Sequence, residues 1–267
     1  MPRVRPAAVA GRFYRKEPEA LAAQVDSLLS SAKPVAPTRR LRALIVPHAG
    51  YVYSAPIAAT AYARLRPLAS RIRRVALLGP AHFVAVAGMA IPDADAFETP
   101  LGRVPLDLEE MRRLQSLRQV QVDPAAHARE HALEVQLPFL QRILGQFTLV
   151  PLVAGRASPA EVATVIRALD VEGTLILVSS DLSHYLPYEQ ARAADQATAD
   201  RIRALELVWW EAACGATPVN GLLEWAAGLA LSPSVLDLRN SGDTAGGKES
   251  VVGYGAFAFE EASSPEC

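Results

Sequence analysis

An α/β fold, built on a mainly parallel or mixed sheet flanked by helices, is what the sequence predicts, and three observations predict it. Short apolar runs rich in Val, Ile and Leu recur along the chain and stop at turn residues. Helical patterns of ten or more residues lie between most of them, the alternation expected of parallel strands joined by crossover helices. Polar residues capable of chemistry follow three of the runs at once. The 267 residues, 51% of them hydrophobic, suffice to bury a substantial core, and α/β chains near this length are routinely one domain, expected here to span 1–267.

In chain order, apolar periodicity predicts a first helix over 18–31, and Pro34 and Pro37 predict a loop after it. A strand follows at 43–46, where four apolar residues stand in succession, as in strands covered on both faces. Helix 56–65 and strand 75–78 repeat the unit. Pro92, Pro100 and Gly102 break the alternation, so 88–103 is expected as a hairpin or an excursion between strands. Helices at 108–117 and 126–144, a strand at 148–153 and a helix at 159–169 come next. A strand at 175–178, helices at 189–205 and 219–229 and a strand at 251–259 complete the pattern.

A formal net charge of -1 supplies no electrostatic reason to bind nucleic acid or anionic lipid, which require Lys and Arg concentrated on one face. Small molecules or other proteins are the expected partners, and the adjacent Trp209 and Trp210 suit either a protein contact or packing. Two cysteines, Cys214 and Cys267, cannot build a disulfide framework and suit a reducing, cytoplasmic setting. The first twenty residues lack the apolar core of a secretory signal. The most apolar window, 212–231, contains Pro218, Asn220 and Glu224, so no membrane span is expected.

Three strands run directly into reactive side chains. Strand 43–46 leads to Pro47-His48-Ala49-Gly50-Tyr51, strand 75–78 to Gly79-Pro80-Ala81-His82, and strand 175–178 to Ser179-Ser180-Asp181-Leu182-Ser183-His184. Ligands bind at the carboxyl ends of parallel strands because the loops there share one edge of the sheet. Three imidazoles and a carboxylate are thus delivered together, and neutral imidazole is the commonest metal ligand. Phe13, Tyr14, Tyr51, Tyr53, Phe83 and Tyr185 flank the same loops.

His127-Ala-Arg-Glu130-His131 matches the H-x-x-E-H pattern of inverted zinc peptidases, in which two rings on one helical face hold zinc and the glutamate polarises water. The simpler expectation puts His131 and Glu134 on one helical face, supporting a site built elsewhere. Gly242 to Lys248 begins like a phosphate-binding loop. Glu249 stands where that loop needs Ser or Thr, and a strand follows where it needs a helix, so no nucleotide site is expected. Cys214 precedes a glycine and a helix start, a position that favours the thiolate, the form that ligates metal.

With these residues assembled, the sequence resembles the MEMO family, whose prokaryotic members are called AmmeMemoRadiSam system protein B. The matching segments include Ala8 to Tyr14, Val46 to Tyr53, Leu78 to His82, Phe97 to Gly102, Glu130 to Pro138, Ser179 to His184, Cys214-Gly215 and Asn240 to Thr244. The resemblance implies a fold like that of class III extradiol dioxygenases and an iron or copper ion held by His48, His82 and Cys214. It places Asp181, His184 and His131 in the same pocket as catalytic candidates, with Asp181 the alternative to Cys214 as third ligand; Tyr53, Ser180 and Tyr51 are the expected substrate contacts. It further implies AMMECR-type and radical SAM proteins as partners.

The leading expectation is therefore a metal-dependent redox protein, with ring cleavage not carried over because a thiolate replaces the dioxygenases' carboxylate. One alternative is an anion-binding protein using Ser179, Ser180, His48 and His82 as hydrogen-bond donors. The other is a hydrolase, working through zinc at His127 and His131 or through Ser180, Ser183 or Cys214 as nucleophile.

Overall fold

The computed structural model describes residues 2–32 and 39–262, so Pro34, Pro37 and Cys267 lie outside the described residues. Strand β1 (Val4–Arg5) precedes helix α1 (Pro18–Ser31), followed by β2 (Leu41–Val46), α2 (Tyr51–Ala63) and β3 (Arg74–Pro80). Three short strands come next, β4 (Met89–Ile91), β5 (Ala96–Thr99) and β6 (Gly102–Pro105), then α3 (Leu108–Leu114), β7 (Val120–Val122) and α4 (Pro124–Ala128). The second half begins with α5 (Leu137–Leu144), β8 (Thr148–Ala154), α6 (Pro159–Leu169) and β9 (Thr174–Ser179). It ends with β10 (His184–Leu186), α7 (Tyr188–Arg203), α8 (Ala216–Gly228), β11 (Ser232–Asn240) and β12 (Val251–Glu260).

The main sheet runs β10-β12-β2-β9-β3-β8-β4-β7, with β11 also on β12, and β1, β5 and β6 form a smaller sheet. Its centre, β2-β9-β3-β8, is parallel. Antiparallel pairs flank that centre, β12 on β2 and β4 on β8. A parallel sheet must have both faces covered, and Ala43, Leu44, Ile45 and Val46 of β2 are indeed wholly buried. Helix α8 packs on β3 and β9 as well as on α6, while α2 packs on β2, β11 and β12. The apolar side chains of these layers join one continuous core. Among the described residues no helix is long and apolar enough to cross a membrane.

Several boundaries differ from the expectation, each for an identifiable reason. Helix α2 starts at Tyr51, five residues before Pro56, because the Tyr51 amide donates to the Phe13 carbonyl and its hydroxyl to the Val135 carbonyl, both at 2.7 Å. The 88–103 stretch resolves into β4 and a β5-β6 hairpin whose turn ends at Gly102, with φ of +113°. Strand β11 was not expected, since Ser232, Pro233, Ser234, Asp237, Arg239 and Asn240 interrupt its apolar residues; pairing along β12 supplies the order instead.

The largest difference concerns 126–144, expected as one helix. The structure has α4, an irregular stretch, a 3-10 turn at Glu134–Gln136 and then α5. Arg5, buried on β1, explains the break. Its Nε donates to the His127 carbonyl at 3.0 Å and its Nη2 to the Glu130 carbonyl at 2.6 Å. A continuous helix would have used those carbonyls internally, and helix ends are stable only when such groups find other partners. The third contact of Arg5 is a buried ion pair with Glu134.

Glu134 has no solvent exposure and also accepts the Ala8 amide (2.7 Å), the Val9 amide (3.0 Å) and the Tyr14 hydroxyl (2.6 Å). It therefore faces the N-terminal segment, not a helical face shared with His131. Removing one partner of a buried pair leaves an uncompensated charge, so Glu134→Ala is expected to destabilise the protein by about 3–5 kcal/mol. Urea denaturation checks this, and a loss below about 1 kcal/mol, the scale of an exposed pair, would contradict it.

Candidate metal centre

The parallel centre of the sheet brings three strand ends to one edge. Val46 of β2 pairs in register with Ser179 of β9, and Leu78 of β3 with Val178. His48, Asp181 and His82 follow these strands by two residues each. Cys214 approaches from the loop before α8. The residue after it must be small, because a Cβ on Gly215 would lie 2.6 Å from the Ser180 Cβ and 2.9 Å from the Ser179 carbonyl oxygen. Ser180 accepts the Gly215 amide at 3.0 Å and donates to the Asp181 carbonyl at 2.8 Å. It is buried and ties the cysteine loop to β9, so it does not line the cavity as a substrate contact.

Hydrogen bonding fixes which nitrogen of each imidazole faces the cavity. Ser179 Oγ donates its one proton to the Ala132 carbonyl at 2.6 Å and accepts from Gln136 Nε2 at 2.8 Å. Its 2.9 Å contact with His48 Nδ1 must then be a bond donated by the ring. Gln136 is oriented in turn, since its Oε1 accepts the Tyr62 hydroxyl and its Nε2 also donates to the Pro47 carbonyl. With the proton on Nδ1, the lone pair of His48 Nε2 points to Cys214 Sγ, 3.1 Å away.

His82 is held in the same tautomer by a carboxylate. Its Nδ1 lies 2.9 Å from Glu130 Oε1, and its backbone amide donates to Glu130 Oε2 at 2.8 Å. Burial, the largest influence on Glu130, works to raise its pKa, but the hydrogen bonds from His82 and the Ala132 amide outweigh it and hold the carboxyl down at about 2. An ionised carboxylate only accepts, so His82 Nδ1 donates and Nε2 is left open. A metal-binding histidine commonly has its other nitrogen held this way by a carboxylate or an acceptor oxygen.

The ligand atoms of His48, His82 and Cys214 lie within 4.8 Å of one another, and so do those of His82, Glu130 and His131. The first set is the better site, because Glu130 already accepts three N–H groups. Burial, the dominant influence on both, lowers the His48 pKa to about 3 and that of His131 to about 4. Both rings are neutral, the form that ligates metal. Burial, with the charge of Asp181 next, pushes the Cys214 thiol up to about 12, outweighing any gain from the helix start behind it. Metal binding at such a thiol releases its proton.

The cavity measures about 880 Å³, and His48, His82, His131, Asp181, His184 and Cys214 all line it. His131 stacks on His82 with centroids 4.7 Å apart. Asp181 Oδ1 accepts the His48 amide at 2.7 Å, yet burial still raises its pKa to about 6. His184 Nδ1 donates to the Leu182 carbonyl at 2.8 Å, leaving its Nε2 open. Tyr53 and Tyr185 line the same space, the latter in a left-handed conformation at φ +59°.

Other expected residues do not reach it. Tyr51 is buried against Tyr14 and Phe139 and belongs to the core. His127 Nε2 donates to the Ala90 carbonyl at 2.9 Å, and the helix break separates it from His131. Ser183 is buried, and the loop from Gly242 leads into β12 as expected. Glu130 and Gln136, which orient the imidazoles, and Arg12 and Tyr254, which line the cavity, do not follow from the position of strand ends. Gln136 and Glu130 lie within the Glu130 to Pro138 segment, whose density of polar residues between buried apolar ones was the available signal.

The family model described as Memo-like protein matches residues 5–258. A MEMO1 family protein from Sulfolobus acidocaldarius is 36% identical, covering 96% of this chain and 99% of the relative. One from Aquifex aeolicus is 37% identical with the same coverage. Among solved structures, the uncharacterized protein JW3007 from Escherichia coli K12 is similar in fold, with a TM-score of 0.54 and 14% identity over 81% of this chain and 99% of that one.

The close approach at Gly215 gives a direct test of how Cys214 is placed. Gly215→Ala drives a methyl group into Ser180 and is expected to cost about 1–3 kcal/mol, as overpacked substitutions do. Equilibrium denaturation checks this, and an unchanged stability would contradict the packing described.

Proposed function

This chain belongs to the Memo-like protein family, and we propose that it is a redox metalloprotein in which His48, His82 and Cys214 hold one iron or copper ion. The observation that carries this reading is the convergence of two open imidazole nitrogens on one sulfur, with both tautomers set by Ser179 and Glu130. Two imidazoles and a thiolate fit a soft or borderline transition metal better than a hard cation. Bound there, the ion would supply electron transfer and Lewis acidity to an organic substrate.

The surrounding residues would bind and move protons. His184 Nε2 is an open basic nitrogen on the cavity wall, and neutral His131 is a second. Burial pushes the Asp181 carboxyl above the usual carboxylate range, so it takes up a proton more readily than an exposed aspartate would. Tyr53 and Tyr185 offer aromatic faces to the substrate. Turnover, cytoplasmic location and AMMECR-type and radical SAM partners complete the proposal.

The alternatives have less support. Ser179, Ser180 and both His Nδ1 atoms spend their protons on internal partners, which removes the donors an anion cradle would use. His127 lies outside the cavity, which removes one ligand from the zinc-hydrolase reading.

Elemental analysis of untagged protein purified without oxygen tests the proposal. Near-stoichiometric iron or copper is expected in the wild type, with loss in His48→Ala, His82→Ala and Cys214→Ser. Glu130→Gln is expected to weaken metal affinity by about 10–100-fold, the usual effect of losing an orienting partner. Full occupancy in His48→Ala would contradict the assignment.

A further inference from the structure

We propose that the opposite edge of the sheet carries a binding site for a small polyphosphate, a ligand with two or more phosphate groups in series. Two arginine-rich stretches, Arg39-Arg40-Leu41-Arg42 and Arg71-Ile72-Arg73-Arg74, lie far apart in sequence. They meet in space because they precede or enter β2 and β3, which are separated only by β9. Two inter-strand spacings put the stretches about 10 Å apart, on either side of the turn entering β9.

Within each stretch the arginines divide into committed and uncommitted groups. Arg42 pairs with Asp170 and Glu261, and Arg74 with Asp107 and Glu110. Among the described residues Arg39, Arg71 and Arg73 make no ion pair, and Arg40 only shares Glu261 at 3.5 Å. These four exposed guanidinium groups line a cleft of about 1080 Å³ in which, among the described residues, Glu172 is the one acidic lining residue. The concentration of positive charge stands out in a chain whose formal net charge is -1.

The cleft has a built wall. The amides of Arg73 and Arg74 both donate to the Gly173 carbonyl, at 2.8 and 3.0 Å. Gly173 has φ of +82°, and the Arg73 guanidinium lies across it, 3.2 Å from where a Cβ would stand. The glycine thus both makes the turn and leaves the space that Arg73 occupies.

Ligand class follows from the donors. Guanidinium forks match phosphate oxygens in paired hydrogen bonds, and two flanks of arginine favour phosphates in series over a single one. The remaining lining mixes aliphatic Leu41, Leu68, Ile72 and Leu175 with the hydroxyls of Ser70 and Thr174, and holds no aromatic residue among the described residues. A single-stranded nucleic acid would use aromatic platforms for its bases, so the favoured ligand is recognised by its phosphates. The site is independent of the metal proposal, since β2, β3 and β9 separate it from the histidines by roughly 20 Å, six residues of strand.

Calorimetric titration of the full chain with inorganic tripolyphosphate, pyrophosphate and orthophosphate tests this. One saturable site is expected, tightest for tripolyphosphate, weakened at least about tenfold in Arg71→Ala/Arg73→Ala, the loss of one or two charged hydrogen bonds. Arg71→Lys/Arg73→Lys should fall between, and His48→Ala should bind as the wild type does. Absence of saturable binding, or binding lost in His48→Ala and retained in the arginine variants, would overturn the proposal. Tighter binding of single-stranded RNA that rises with its length would overturn it in favour of nucleic acid.

Discussion

The buried ion pair between Arg5 and Glu134 is the interaction on which the rest of the site's geometry depends. By taking the carbonyls of His127 and Glu130, Arg5 stabilises an interruption in what would otherwise be one helix. The interrupted stretch then supplies three things a continuous helix would not deliver together. Glu130 reaches His82, the Ala132 carbonyl reaches Ser179, and Gln136 reaches Ser179 and Pro47. A two-residue strand near the N-terminus thus controls the orientation of imidazoles that arrive from β2 and β3.

That orientation has a chemical consequence. Each histidine's Nδ1 proton is committed to a protein acceptor, so its Nε2 lone pair is directed into the cavity before any ligand arrives. Burial keeps His48 and His131 neutral, which suits coordination, while it keeps Cys214 protonated, which opposes it. The nitrogens are preorganised and the sulfur is not. A soft cation that displaces the thiol proton would be favoured over one that depends on oxygen donors.

Much of this was legible in the sequence. The central strands and helices α1 and α6 follow from apolar periodicity, because a parallel sheet covered by helices leaves continuous apolar runs. His48, His82, Asp181 and His184 were found from their place after strand ends, and their convergence needed only the rule for parallel sheets. The helix break at 129–136 was not legible, because local periodicity cannot show that an arginine more than a hundred residues away will claim two carbonyls. Tyr51 and Ser180 were misplaced for a related reason: adjacency to a reactive residue does not say which way a side chain points. Strand β11 left no apolar run because its order comes from pairing along β12.

The two edges of the sheet have opposite characters, with neutral nitrogens and a thiol at one and uncommitted arginines at the other. At the first edge, the fold presents His48 and His82 through Nε2. Proton-nitrogen correlation spectra of the metal-free protein labelled with ¹⁵N-histidine, recorded near neutral pH, read that tautomer directly. Protonated Nδ1 and unprotonated Nε2 are expected for both rings; a proton on Nε2 of either would contradict this orientation.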